Sequence, residues 1–193
     1  MKNSLLFKSL QSLVHFSEEE YHLLMEKMIQ KKIKRKQFLI HEGQIAKEAA
    51  FVVGGCLRSY SIDQNGFEHI MQFAPESWWI TDMYSFISQK PAYLTVDAIA
   101  DSEVLLLKRE DQLLLFEEIP SLERYFRILT ENSLVNSRKR LMENLSLTAK
   151  ERYANFCKSY PMLINELPQK LIASYIGVTP EFLSKLRNAE YKK

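Results

Sequence analysis

Leu57-Arg-Ser-Tyr-Ser-Ile-Asp-Gln-Asn-Gly-Phe-Glu-His-Ile-Met-Gln-Phe73 is the stretch that decides the fold. Its flanks, 57–60 and 68–73, read as strands. Asp63-Gln-Asn-Gly66 between them reads as a tight turn, because Asn-Gly tolerates the positive φ values that a hairpin demands. The two strands are therefore antiparallel. The same texture extends to either side in Gln37-Phe-Leu-Ile40 and Ala50-Phe-Val-Val53, punctuated by Gly43 and Gly54-Gly55. Several short strands at this spacing, with no helix between them, predict a small barrel or jelly roll over 31–108 rather than a parallel sheet.

Upstream, Ser17-Glu-Glu-Glu20 has the spacing of a capping box, and Tyr21, Leu24, Met25, Met28 and Ile29 then recur at helical intervals. A helix is predicted over 17–30. The first 16 residues do not read as a signal peptide, since Lys8 and Gln11 interrupt the apolar run and no small-residue cleavage site follows.

Downstream, 111–118 reads as a short helix, and Pro120 sits where another can begin. The stretch 121–144 contains no Gly or Pro, which predicts a helix of about 24 residues and about 36 Å. Leu122, Phe126, Leu129 and Ser133 share one of its faces, with Asn136 and Arg140 continuing it. An apolar seam that gives way to polar positions can pair two copies of a helix and fix their register through an Asn. A helix packed only on its own barrel is the alternative.

The sharpest local pattern is Gln169-Lys-Leu-Ile-Ala-Ser-Tyr-Ile-Gly-Val-Thr-Pro-Glu-Phe-Leu-Ser-Lys-Leu-Arg187, which has the layout of a helix-turn-helix. Ile172, Ala173 and Ile176 form the inner face of the first helix, and the small Ala173 lets a second helix cross closely. Gly177 supplies a left-handed turn, and Val178 fills the space between the helices. Thr179 can cap the second helix, Pro180 is pre-set for its first turn, and Glu181 favours the positive end of its dipole. Leu183 and Leu186 turn inward. Thr179, Pro180, Glu181, Ser184, Lys185, Arg187 and Asn188 then face outward as candidate DNA contacts. Glu can accept from a cytosine amino group, and Lys can donate to guanine or phosphate.

Charge points the same way. The whole chain of 193 residues carries only +2, but 138–193 holds 11 Lys and Arg against 5 Asp and Glu, a net +6, leaving −4 for the rest. A basic end that coincides with the helix-turn-helix suits phosphate neutralisation. Two cysteines in 193 residues supply neither a disulfide framework nor a metal cluster within one chain, and the apolar runs are too short to cross a bilayer. A reducing, cytoplasmic setting without a membrane partner is expected.

A capped N-terminal helix, a Gly-punctuated jelly roll, a long helix and a C-terminal helix-turn-helix together resemble the Crp/Fnr family of transcription regulators. His41-Glu-Gly43, Phe51-Val-Val-Gly-Gly55, Leu57-Arg-Ser-Tyr60, Gly66 and Val96-Asp-Ala98 carry the likeness beside the helix-turn-helix. The implied fold is α+β. It comprises a cyclic-nucleotide-binding-like jelly-roll sensor over 1–118, a connecting and dimerisation helix over 119–145 and an all-α helix-turn-helix domain over 146–193. The resemblance implies a homodimer whose recognition helices enter successive major grooves. Its implied partners are double-stranded DNA, a second copy of the chain, RNA polymerase and a small-molecule effector.

The departures bear on the effector. Cyclic-nucleotide-binding members place a Gly-Glu pair for the ribose, and an Arg followed by Ser/Thr-Ala for the phosphate just before Val-x-Ala. Here those places read Trp78-Trp-Ile-Thr-Asp82 and Ala92-Tyr-Leu-Thr95. The phosphate arginine is missing, Lys90 is the nearest cation, and cAMP of the usual kind is not expected, since a buried phosphate needs a charge-assisted partner. No cofactor is expected, and the effector stays unidentified. Arg58, His69, Trp78, Trp79, Tyr84 and Tyr93 are the candidate lining of an effector pocket, aromatic walls with a cation suiting a planar or anionic ligand. The short 159–167 stretch leaves little room for the β-hairpin wing usual in the family.

An enzyme is not expected. His15, His22, His41 and His69 form no HxH pair of the kind jelly-roll metal enzymes use, and no GxSxG, GxGxxG, Walker A or HExxH pattern occurs, so no catalytic or metal residue is assigned. Two other readings stay open: a regulator answering cAMP or cGMP through a non-standard pocket, and a jelly-roll interaction module that binds no DNA.

Overall fold

A computed structural model describes residues 4–190. The chain divides into two compact units, Met1–Ser61 with Met71–Glu131 and Ile62–Ile70 with Asn132–Lys193. The division falls inside one long helix and also assigns the tip of the decisive hairpin to the second unit.

In the first unit, α1 (Leu5–Leu13) and α2 (Glu18–Lys27) precede eight strands: β1 (Ile29–Ile33), β2 (Phe38–Ile40), β3 (Glu48–Gly54), β4 (Leu57–Ile62), β5 (Glu68–Ala74), β6 (Trp79–Ile80), β7 (Thr95–Ala98) and β8 (Ser102–Lys108). They form two four-stranded sheets, in orders β1-β8-β3-β6 and β2-β7-β4-β5. Ile33, Ala50, Val52, Leu57, Val96, Val104 and Leu106 fill the core of this jelly roll. Gly55 closes the β3–β4 turn at φ +85°, and a Cβ there would lie 2.6 Å from the Asp101 carbonyl oxygen. Only glycine fits both the angle and the space.

The capping box forms as its spacing requires: Glu20 N–H donates to Ser17 Oγ at 3.1 Å, and Ser17 N–H to Glu20 Oε2 at 2.7 Å. The helix it opens is shorter than the predicted 17–30. Met28 is already extended, and Ile29 pairs with Leu106 at the start of β1. Long-range pairing overrides the local helical spacing there.

A second core lies among α1, α2, α4 (Arg109–Glu118) and the start of α5 (Pro120–Ser146), built on Leu6, Leu10, Phe16, Leu24, Phe51, Leu115, Leu122 and Tyr125. Tyr125 is 0% exposed and meets its polar need by bonding Ser9 Oγ at 2.7 Å and receiving the Trp79 indole N–H at 3.2 Å. Burial pushes its phenol above the ordinary value.

In the second unit, α6 (Ala149–Ser159), α7 (Gln169–Ile176) and α8 (Pro180–Glu190) follow the end of α5. Tyr153, Phe156, Leu163, Leu171, Ile172, Ala173, Ile176 and Leu183 are buried. Thr148 and Glu151 make a second capping box at the start of α6. Between Ser159 and Gln169 the chain forms turns, with no strand among the described residues.

Candidate nucleic-acid interface

The geometry from α7 to α8 follows from a few residues. Ile172 and Ala173 are fully buried and Ile176 nearly so, which lets the helices meet on the small Ala173 side. Gly177 takes φ +71°, ψ 44° and ends α7, its N–H and that of Val178 returning to the carbonyls of Ala173 and Ser174. Thr179 then caps α8, accepting from Phe182 N–H at 3.2 Å. Leu183 is 0% exposed, so the helix is rolled with its opposite face outward.

On that face Thr179, Pro180, Glu181, Lys185 and Asn188 are exposed, and Ser184 and Arg187 half-buried. Hydrogen bonding to main-chain N–H and to Thr179 holds the Glu181 carboxyl below the usual range, so it is an ionised acceptor at neutral pH. Phe182 lies on the same outer side with 50% of its surface exposed. The sequence pattern of inward Leu183 and Leu186 does not single it out, because large apolar residues are ordinarily assigned inward.

The hairpin tip is tied to this unit. Ser174 on α7 donates to Glu68 O at 2.5 Å and accepts from Ile70 N–H at 3.1 Å. Arg140 on α5 donates to Ile70 O at 2.6 Å and Tyr175 O at 3.0 Å, its guanidinium 3.9 Å from the Tyr175 ring centroid. Asp63 organises the turn itself, accepting from Asn65 N–H at 2.9 Å and Phe67 N–H at 3.0 Å. His69, a candidate for the effector pocket, lies 2.9 Å from Asp63 Oδ2 at this exposed tip.

The other pocket candidates belong to the first unit. Arg58 is committed to Asp97 through a two-pronged pair, Nε to Oδ1 at 2.7 Å and Nη2 to Oδ2 at 3.0 Å, both residues largely buried. Its guanidinium also lies 4.2 Å from the Tyr60 ring centroid. Trp79 packs its ring against Phe51 and Phe126, while Trp78 is exposed. Tyr84 and Tyr93 stack with centroids 4.6 Å apart, both exposed. The structure thus brings Tyr84 together with Tyr93, pairs Arg58 with Asp97 and packs Trp79 on Phe51 and Phe126.

Sequence reasoning did not single out Asp82, which holds the loop carrying Tyr93. Asp82 is 1% exposed and accepts from Ser85 N–H at 2.8 Å, Tyr93 N–H at 2.9 Å and Leu94 N–H at 2.8 Å. A carboxylate of this chain therefore occupies the main-chain donors of the loop ahead of Val96. Its position before the short helix α3 (Met83–Ser88) is an N-cap signal that the sequence does carry.

On α5, Leu122 is fully buried, and Phe126 and Leu129 are partly buried against the same core. Ser133 and Asn136 are exposed. The exposed apolar residues of α5 lie further along: Leu134, Val135, Leu141, Met142 and Leu145. Among the described residues no cluster of His, Cys, Asp and Glu could hold a metal ion, and no helix is long and apolar enough to cross a membrane.

Residues 30–118 match the family model described as a cyclic nucleotide-binding domain. Among solved structures, the chain is similar to CLP of Xanthomonas campestris, described as a c-di-GMP responsive global regulator linking cell-cell signalling to virulence gene expression. That match has a TM-score of 0.76 at 10% identity, over 91% of this chain and 92% of that one. It is also similar to FixK2 of Bradyrhizobium japonicum, with a TM-score of 0.73 at 22% identity over 86% and 85% of the two chains. Catabolite activator protein of Thermus thermophilus matches with a TM-score of 0.61 at 18% identity, over 95% and 87%. Identities this low establish a shared fold. No curated protein matches the sequence.

Proposed function

We propose that the protein is a homodimeric, sequence-specific DNA-binding transcription regulator, a reading supported by the match of residues 30–118 to the cyclic nucleotide-binding domain model and by the fold shared with CLP and FixK2. The observation that carries the proposal is α8 itself. Leu183 anchors it, Gly177 and Thr179 fix its start, and its outer face presents Glu181, Ser184, Lys185, Arg187 and Asn188 from the segment of net charge +6. No enzymatic step belongs to this reading.

Dimerisation is assigned to the exposed apolar stripe of α5. Leu134 and Leu141 are seven residues apart, as are Val135 and Met142, the spacing at which one helix face recurs against a partner helix. Ser133 and Asn136 border that stripe, whereas Leu122 serves its own core.

The effector differs from cAMP bound in the usual way. Asp82 already takes the N–H groups of Tyr93 and Leu94, and a second anion against that carboxylate would be repelled. RNA polymerase and an effector of another chemistry remain partners in this reading.

Selection from a random double-stranded DNA library by the full-length protein tests it. Enrichment of a palindromic sequence with half-sites about one helical turn apart is expected. Recovery of no common sequence would contradict it.

A further inference from the structure

We infer that Phe182 reads the methyl group of a thymine in each operator half-site, an assignment that rests on the DNA-binding role proposed for α8. Phe182 is the third residue of α8 (Pro180–Glu190), and half of its surface is exposed although Leu183 beside it is completely buried. A single exposed apolar side chain is ordinary on a protein surface. Its neighbours distinguish this one: Lys185 is three residues on, Glu181 immediately precedes it, and both are exposed. Residues three and four apart share a helix face, so carboxylate, phenyl and ammonium form one outward surface at the N-terminal end of the helix.

The major groove offers each of these groups a different partner. The carboxylate can accept from the exocyclic amine of cytosine, and the ammonium can donate to guanine or phosphate. A phenyl ring has no hydrogen bond to offer. The groove edges of adenine, guanine and cytosine present polar donors and acceptors, and the one apolar group among the four bases is the C5 methyl of thymine. Against any other base the ring would desolvate polar edges without replacing their hydrogen bonds, which is costly. Phe182 thus selects thymine both by contact with its methyl and by disfavouring the alternatives.

Deoxyuridine substitution tests this, because uracil keeps every Watson–Crick and groove hydrogen-bonding group of thymine and lacks only the methyl. The full-length protein is first used to select its operator, and each thymine is then replaced in turn. One position per half-site should lose roughly fourfold in affinity on replacement, the weight of one buried methyl group. Phe182→Ala should bind the operator more weakly and be indifferent to uracil at that position. Phe182→Leu, apolar and smaller, should retain part of the discrimination. Thermal melting of both variants should match the wild type, because the ring is not part of the core. If the wild type binds the selected operator with no uracil-sensitive position, or if Phe182→Ala keeps the full penalty, Phe182 does not read the methyl while DNA binding stands. Failure of the wild type to select any DNA overturns both readings together.

Discussion

The Ser174 hydroxyl stands between the carbonyl of Glu68 and the N–H of Ile70, donating to one at 2.5 Å and accepting from the other at 3.1 Å. A side chain on the first helix of a helix-turn-helix thereby completes the hydrogen bonding of a β-hairpin more than 100 residues away, whose tip belongs to the same compact unit. Ser174→Ala leaves both main-chain groups without this partner and should destabilise the protein by about 1 kcal/mol. Amide exchange at Ile70 should accelerate in the variant. Unchanged exchange would show that the hydroxyl does not hold the strand.

Three main-chain N–H groups converge on Asp82 in a nearly solvent-free position. Asp82→Ala should cost roughly 3 kcal/mol or more by orphaning several buried donors at once. Denaturant unfolding measures it, and a loss below about 1 kcal/mol would mean that water replaces the carboxylate without difficulty. A saturable thermal stabilisation of the wild type by micromolar cAMP would contradict the reading of this loop.

The α5 stripe predicts an oligomeric switch. Leu134→Glu with Leu141→Glu places like charges on two exposed positions one heptad apart and should convert a dimer to a monomer in sedimentation velocity, with helicity unchanged. A monomeric wild type, or a variant that stays dimeric, would rule the stripe out as the interface.

The hairpin turn carries a pH signature. The bond from His69, then that from Phe67 N–H, holds the Asp63 carboxyl below the usual range. A carboxyl with a depressed folded-state pKa contributes stability that is present above its unfolded value and is lost as pH falls through the folded one. Removing the imidazole in His69→Ala should therefore raise the Asp63 titration midpoint, as read by carboxyl-carbon NMR. A midpoint indifferent to the substitution would show that the ring is not its main partner.

What the sequence makes legible is whatever few neighbouring residues specify. Ser17 with Glu20, Asn65 with Gly66, and Gly177 with Thr179 and Pro180 act within four positions of one another, and each forms the expected element. The Thr148–Glu151 capping box is equally local and marks α6. Long-range pairing is less visible: α2 stops at Lys27 because Ile29 joins Leu106, 77 positions on. The partners of the residues proposed for one pocket are equally invisible in the sequence, Arg58 pairing with Asp97 and Trp79 packing on Phe51 and Phe126. Composition indicates their chemistry, and only the fold assigns their partners. Leu122 likewise fits a subunit seam by spacing but fills a core built with α1 and α2.

The central claim is that α8 binds DNA, and the salt dependence of affinity for the selected operator, compared between wild type and Lys185→Ala/Arg187→Ala, tests it most directly. Binding by the wild type should weaken steeply as salt rises. The logarithmic slope should fall by about one for each phosphate contact the double variant loses. Binding that ignores salt, or a double variant with the affinity and slope of the wild type, would contradict it.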